Sequence, residues 1–350
     1  MFDWIVPRRH SRESDAQKAM AHSDRANDDD IRYAYRLLLG REPDDAGLAH
    51  FQRVLADRQP TADDLAREFL VSPEFLARNV GLPVEVPMDG YSVFINPLDH
   101  DIGQSVRDQR QYEPHVTAVV RECLHEGNVF VDVGANIGFF TLLAAHLVGA
   151  TGRVVAIEPM DKNVQLIYLA AQKNGFEQIR LHQCAASDRR GLLAIATGAG
   201  TSNGQALHAS SQAGWHGLMT QTCLLDEITT DLPRIDLVKL DIEGFELLAW
   251  RGFRGALARH RPRVLTEFHP HCMRTFAGVD PLDYLSELFA YGQRISVLAY
   301  GGERVLCADA GEVMQQWAIG DRRARGDGTN HLDLLIEPYR NQVAIDSPAP

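Results

Sequence analysis

The sequence predicts an α/β protein, a mostly parallel sheet with helices on both faces, preceded by a small all-α domain. Three observations carry that expectation. Apolar runs at Val129–Val133, Val154–Ile157, Ile179–Ala185, Ile235–Leu240 and Val264–Phe268 are separated by helix-length segments, the βαβ rhythm of a parallel sheet. Ahead of them, residues 31–80 show only a helical period. The length of 350 residues, with 45% hydrophobic and 23% charged side chains, is ordinary globular usage and suits two domains.

In the helical region, Ile31, Ala34, Tyr35, Leu38 and Leu39 fall on one face, and Gly40 is placed to end the helix. A turn at Arg41-Glu42-Pro43-Asp44 leads to a second stripe, Leu48, Phe51, Val54 and Leu55. Thr61 suits the N-cap of a third helix holding Leu65, Phe69 and Leu70, and Ser72-Pro73 reads as the cap and first position of a short piece with Phe75 and Leu76. Residues 1–30 are charged and poor in large apolar groups, so they read as a disordered tail ending in Asp28-Asp29-Asp30. A short anchor at Phe2, Trp4, Ile5 and Val6 is the alternative to a frayed terminus there. Pro83, Pro87 and Asp89-Gly90 mark residues 81–110 as a linker with N-terminal strands, the α/β domain covers 111–340, and 341–350 form a tail.

Within the α/β domain, helical stripes run through Phe140, Leu143, Ala144 and Leu147, through Val164, Ile167, Leu169 and Ala170, and through Leu282, Leu285, Leu288 and Phe289. Ile295–Leu298 and Leu332–Ile336 read as added edge strands. Residues 198–217, rich in Gly, Ser and Ala, read as a loop or lid, with Trp215 and His216 as candidates to cover a substrate.

The net charge of −12 argues against a nucleic-acid or anionic-membrane footprint. Five scattered cysteines without a C-x-x-C pair read as reduced thiols of a cytoplasmic protein. No apolar run reaches the roughly 18 residues of a membrane span. The opening Met1 to Val6, followed by Pro7, Arg8, Arg9 and His10, has the wrong order for a secretory signal.

The sharpest local signal is Val131-Asp132-Val133-Gly134-Ala135-Asn136-Ile137-Gly138-Phe139-Phe140-Thr141, a glycine turn between a strand and a helix, where backbone N–H groups face a ligand. It lacks the second glycine of a dinucleotide fingerprint, and no Gly-Lys-Ser/Thr follows as in a P-loop. Asp132 at the strand end would repel a pyrophosphate and welcome a cation. S-adenosylmethionine, with its ammonium and sulfonium, fits both features. Glu158, ending the next strand, suits ribose hydroxyls, against the simpler reading of a cap for the helix begun near Asp161. Asp188, in Cys184-Ala185-Ala186-Ser187-Asp188, suits the adenine amine, although Ser-Asp also favours a turn.

Together with Ala156-Ile157-Glu158-Pro159, Ala185-Ala186-Ser187-Asp188 and Val238-Lys239-Leu240-Asp241-Ile242-Glu243-Gly244-Phe245-Glu246, this motif closely resembles the FkbM family of S-adenosylmethionine-dependent methyltransferases. Tyr112-Glu113-Pro114 and Leu225-Asp226-Glu227 also match its pattern, and the resemblance spans residues 90 to 340. It implies a class I (Rossmann-like) fold with a mostly parallel seven-stranded sheet and O-methylation of natural products or glycans. The expected cofactor set is Asp132, Gly134, Asn136, Gly138, Glu158, Asp188, Asp241 and Glu113. Tyr35 through Gly47 and Phe69 through Phe75 resemble a small domain of unknown function with a Leu-Leu-Gly-Arg-x-Pro-Asp signature, which accompanies bacterial glycan-processing or surface proteins; that association is not a mechanism.

Methyl transfer to a hydroxyl needs an aligned nucleophile, exclusion of water and one proton acceptor. Asp241, Glu243, Glu267 and His269 cluster at the carboxyl ends of the fourth and fifth strands and are the catalytic candidates. The blander readings make Asp241 an N-cap, Glu243 a first-turn acid and His269 a surface residue before Pro270. Lys239 is expected in a buried ion pair or a structural role. Asp241, Glu267 and His269 could also hold Mg²⁺, though no metal ligand is assigned. The Asn/Asp-Pro-Pro-aromatic turn of methyltransferases acting on bases or glutamine is absent. The expectation is an O-methyltransferase acting on a saccharide or related bacterial metabolite. A non-catalytic interaction protein keeping the same fold is the alternative, and an NAD-dependent oxidoreductase is disfavoured by the glycine spacing. The acceptor hydroxyl and the oligomeric state are not read from the chain.

Overall fold

The computed structural model describes residues 25–75, 82–197, 201–207 and 218–339. The chain divides into two compact units between Leu82 and Pro83.

The first unit holds α1 (Asp28–Leu39), α2 (Asp45–Arg58) and α3 (Ala62–Leu70). Helix α1 corrects the sequence reading, because Asp28-Asp29-Asp30 are its first turn and not the end of a tail. Asn27 caps it, accepting from the Asp29 and Asp30 N–H groups while the Asp30 carboxylate returns a bond to the cap. Acids in a first turn are favoured by the helix dipole. Gly40, at φ 60°, ends α1, and Thr61 caps α3 in a reciprocal box with Asp64. Ser72 Oγ accepts from Phe75 N at 3.1 Å, the expected short cap. Ile31, Tyr35, Leu39, Leu65 and Phe69 form the core, with Phe51 stacked on Phe69 at 4.2 Å and Tyr35 edge-on to Phe69 at 5.0 Å. Leu70 turns away and is 40% exposed.

The second unit opens with an antiparallel hairpin, β1 (Val84–Pro87) and β2 (Ser92–Ile95), then α4 (Ile102–Gln109) and α5 (Pro114–Cys123). The alternation follows: β3 (Val129–Val133), α6 (Phe139–Val148), β4 (Arg153–Ile157), α7 (Asp161–Asn174) and β5 (Ile179–His182). After an excursion through β6 (Ala185–Ala186), β7 (Gly191–Thr197), β8 (Gly204–Leu207), β9 (Leu218–Cys223) and α8 (Leu225–Ile228), it resumes with β10 (Leu237–Leu240), α9 (Glu246–Arg251), α10 (Arg254–His260) and β11 (Arg263–Phe268). The last elements are α11 (Pro281–Tyr291), β12 (Gly292–Leu298), β13 (Arg304–Cys307), α12 (Ala310–Arg323) and β14 (Leu332–Pro338).

The large sheet has the order β13-β12-β14-β11-β10-β3-β4-β5, eight strands where seven were expected. From β11 through β10 and β3 to β5 the pairing is parallel, whereas the pairs β11–β14, β14–β12 and β12–β13 are antiparallel, so β12 runs with the parallel set and β14 and β13 run against it. The added strand is β13, a partly exposed edge too short to register as an apolar run. Strand β14 is not at an edge. It lies between β11 and β12, and its centre, Asp333 to Ile336, is buried, as an interior strand requires. Along β3, Val129, Val131 and Val133 face one core with Trp250, Phe253 and Leu285, while Phe130 faces the other with Val120 and Leu143.

A second sheet, β6-β9-β7-β8, was not anticipated. The run Ile179–Ala185 is not one strand, because the chain turns after His182 and Ala185 and Ala186 pair with β9 instead. Within the segment read as a loop, Gly204–Leu207 is β8. Gly204 there marks close packing: an added Cβ would stand 2.6 Å from Met160 Sδ. The lid candidates Trp215 and His216, the N-terminal residues 1–24 and the tail 341–350 lie outside the described residues. Among those described, no helix is long and apolar enough to cross a membrane.

Candidate active site

The strand order reverses at β3, and a cavity of about 240 Å³ opens there, at the carboxyl ends of β3, β4, β10 and β11. Its two ends differ in chemistry.

At the first end, Gly134 takes φ 85°. An added Cβ would fall 1.8 Å from the Asp241 carbonyl oxygen, so glycine is required by the neighbouring strand end. Asn136, left-handed at φ 51°, donates from its backbone N–H to Glu158 Oε2 at 2.8 Å and from Nδ2 to Asn203 Oδ1 at 2.8 Å. Glu158 Oε1 accepts from Met160 N at 2.9 Å and from Asn163 Nδ2 at 3.3 Å. Glu158 therefore does steady the start of α7, yet it also faces the cavity. Burial pushes its carboxyl up to about 7, even against those N–H donors. Asn163 further holds the Ser202 carbonyl at 2.9 Å. Met160, Cys184, Ala185, Ala186 and Ile195 line the adjacent wall.

The other end gathers Glu113, Lys239, Asp241, Glu243, Glu267 and His269 on its lining. Lys239 Nζ donates to Asp241 Oδ2 at 2.5 Å and sits 4.7 Å from the Phe140 ring centre. Burial would push this ammonium down, but Asp241, Glu113 and Asp132 hold it above its ordinary value. Asp241 and Glu243 are not part of a helix start, since α9 begins at Glu246 with Phe245 as its cap. The turn between β10 and α9 is held instead by Glu246, whose Oε1 accepts from Ile242 N at 2.9 Å and Gly244 N at 3.1 Å. In that turn Glu243 is left-handed at φ 55°, and burial followed by the Asp241 charge raises its carboxyl to about 7. Glu113 is also left-handed, at φ 40°, and burial raises it to about 8 despite Lys239. Glu267, 7% exposed, is pushed well above the carboxylate range by burial and the charges of Asp241 and Glu243. Glu113 Oε2 and Glu267 Oε2 have no hydrogen-bond partner.

His269 is buried, not a surface residue. Burial, then His331 and His271, lowers it to about 4, so it is neutral at physiological pH. Its Nδ1 accepts from Cys272 N at 3.4 Å.

Three expected cofactor residues are absent from the cavity lining. Asp132 lies beneath it, accepting from Thr141 Oγ1 at 2.6 Å, where it ties β3 to the start of α6. Gly138 serves as the N-cap of α6 against Ile167. Asp188 follows the wall formed by Ala185 and Ala186 and is associated with Ser187 and Arg189. Conversely, sequence reasoning missed Asn163, Asn203, Glu246 and His331. His331 lines the cavity with Nδ1 3.6 Å from Glu267 Oε1. Glu246 stood in the quoted Glu-Gly-Phe-Glu motif without a role; the others carry no local signal. Among the described residues no group of three or more His, Cys, Asp or Glu side chains stands close enough to hold a metal ion, and Asp241, Glu267 and His269 are not such a group.

The donor set tests the cofactor. Among the described residues lining the cavity, Lys239 is the sole Lys or Arg, and Asp241 neutralises it. A pyrophosphate would meet no free cation, while a ribose-bearing cation meets Glu158 at one end and several acids at the other. This fits S-adenosylmethionine.

Strand order and crevice together define a class I methyltransferase fold. Residues 132–295 match the family model of the methyltransferase FkbM domain, and residues 12–79 match that of a domain of unknown function, DUF4214. The match to the FkbM methyltransferase domain lies wholly within the second unit and spans just under half of the chain. A search of the curated proteins found no match. Among solved structures, the chain is similar to methyltransferase FkbM from Methylobacillus flagellatus at 16% identity and TM-score 0.37, covering 87% of this chain and 58% of that one. It is similar to a SAM-dependent O-methyltransferase from Thermotoga maritima at 14% identity and TM-score 0.37, covering 81% and 83% respectively. A putative rRNA-methylase from Clostridium thermocellum has 11% identity and TM-score 0.38, covering 65% and 96%.

Proposed function

We propose that the protein is an S-adenosylmethionine-dependent O-methyltransferase acting on a hydroxyl of a saccharide or related bacterial metabolite. One observation carries the reading: a buried acid, Glu158, is hydrogen-bonded to the glycine turn of a cavity whose described lining offers no free cation to a phosphate.

S-adenosylmethionine, when bound, supplies a methyl group activated by its sulfonium. Glu158 would accept from the ribose hydroxyls, the wall of Met160, Ala185, Ala186 and Ile195 would hold the adenine, and Glu113 would meet the ammonium. Glu243 is the proposed general base. Its carboxyl, raised to about 7, is matched to taking a proton from a hydroxyl at neutral pH. His269, with Nδ1 engaged by Cys272 N–H, would present Nε2–H as a donor to orient the acceptor. Once ionised, the Glu243 carboxylate accepts hydrogen bonds only, which suits a substrate hydroxyl as the donor. Asp241 and Lys239 would hold the floor, and Glu246 the turn that carries Glu243.

Calorimetric titration with S-adenosylhomocysteine and, in parallel, with NAD tests the cofactor. Binding of the first alone is expected, and its absence overturns the reading. A tritiated-methyl transfer screen against glycan and metabolite fractions then identifies the acceptor. Label in an amine or a nucleic-acid fraction would replace the proposed substrate class.

A further inference from the structure

We propose that Cys184 and Cys223 form a covalent modification site, which hydroperoxides close into a disulfide that staples one wall of the cofactor cavity. The two sulfurs are 2.8 Å apart. Their approach is built into the sheet, since β6 and β9 pair in parallel with Ala185 opposite Thr222 and Ala186 opposite Cys223, and Cys223 Sγ also lies 3.4 Å from the Ala185 carbonyl. Both are partly exposed, whereas Cys123, Cys272 and Cys307 are buried. Cys184 lines the cavity itself, so an oxidant small enough to enter reaches it.

Cys184 lines the cavity and Cys223 does not, so Cys184 is the thiol an entering peroxide meets first, and the neighbouring Cys223 thiol lowers its pKa from the ordinary thiol value. Cys184 is accordingly the nucleophile and Cys223 the resolving thiol. The Cys184 thiolate attacks one peroxide oxygen, the O–O bond breaks, and hydroxide leaves and takes up a proton to become water. The sulfur of Cys223 then attacks the resulting sulfenic acid. The S–O bond breaks, and a second water leaves with the Cys223 proton. Two thiols are oxidised and one hydroperoxide is reduced.

The consequence lies in what the bridge encloses. Cys184 and Cys223 are 39 positions apart, and the chain between them carries β7 and β8 together with the cavity-lining residues Leu193, Ile195, Ser202 and Asn203. A bond across the base of this excursion restricts its freedom. A wall ordered in advance loses less freedom on binding, so the oxidised protein should hold its cofactor more tightly. This last consequence rests on the proposed cofactor; the cross-link does not.

The full chain is treated with hydrogen peroxide, its remaining thiols are alkylated, and tryptic peptides are weighed. The expected product joins peptide 181–189 to peptide 191–234 with the loss of two hydrogens, is reversed by dithiothreitol, and is absent from Cys223→Ser, in which Cys184 stops at sulfenic or higher oxides. S-adenosylhomocysteine should bind the oxidised protein several-fold more tightly than the reduced protein, with no such difference in Cys184→Ser. Both cysteines remaining alkylatable, or Cys184 passing to sulfinic acid in the unsubstituted chain without a linked peptide, overturns the modification site. A linked peptide with unchanged affinity overturns the staple. Failure of both redox forms to bind S-adenosylhomocysteine overturns the cofactor reading and the staple while leaving the cross-link to be judged by mass.

Discussion

At the glycine-turn end of the cavity, Glu158 has both carboxyl oxygens engaged by N–H donors from the turn and from α7. At the other end, Glu113 and Glu267 each keep an oxygen without a partner, and Glu243 is held in a left-handed conformation. The first end is complete before any ligand arrives, its acid serving as scaffold and, on the proposed function, as recognition group too. The second end keeps buried acids whose hydrogen-bonding capacity is unspent, a costly arrangement in an empty protein. On the proposed function, the difference would divide the labour of one crevice: affinity from a finished wall, reactivity from an unfinished one.

That division can be broken experimentally. The largest expected effect is at the unfinished end, where Glu243→Gln should lower kcat by ~10²–10⁴-fold, the usual contribution of a positioned base. Steady-state kinetics with calorimetry on the same variant should show S-adenosylhomocysteine affinity nearly intact; a parallel collapse of affinity would mean the two ends do not act separately. At the finished end, Glu158→Gln removes charge-assisted bonds of about 1.5–3 kcal/mol and should weaken S-adenosylhomocysteine by roughly 10–100-fold, while kcat at saturating cofactor changes little.

A smaller effect concerns pH. The carboxyls of Glu113, Glu158, Glu243 and Glu246 are raised to about 8, 7, 7 and 8. In the unfolded chain all four are ionised by about pH 6.5. The folded protein therefore holds more protons between about pH 6.5 and 8, and its stability should fall as pH rises through that window. Thermal melts of the ligand-free protein at the two limits check the sign, and a higher Tm at pH 8 would contradict it. The smallest effect is expected for Asn203→Ala, which removes the side-chain bond to Asn136. A loss of about 1 kcal/mol, or ~5-fold in S-adenosylhomocysteine affinity, is the scale of one neutral hydrogen bond.

The parallel strands were legible because burial on both faces leaves continuous apolar runs such as Val129–Val133, and the helical caps because Thr61, Ser72 and Gly40 act within a few residues of themselves. The second sheet was not, since β9 buries only one of its positions and so leaves no continuous apolar run, and Gly204 at the start of β8 signals looseness in a sequence while serving close packing in the fold. The same limit governs the site. That Glu158 and Asp241 line the cavity was legible from their places at strand ends. Asp132 was read as facing the ligand because a sequence locates a residue along a strand without showing which side of the crevice floor it occupies. Asn203 and His331 reach the cavity from the positions just ahead of β8 and β14, across separations that no local pattern spans.

Strand β14 arrives late in the chain yet fills the gap between β11 and β12. During synthesis, then, two buried strands emerge from the ribosome with an unzipped seam between them, and several dozen residues must follow before it closes. Nascent chains are expected to depend on chaperone shielding through that interval. A nonsense codon just ahead of Leu332 would leave this seam permanently open, turning the truncated product into a substrate for proteolysis and aggregation.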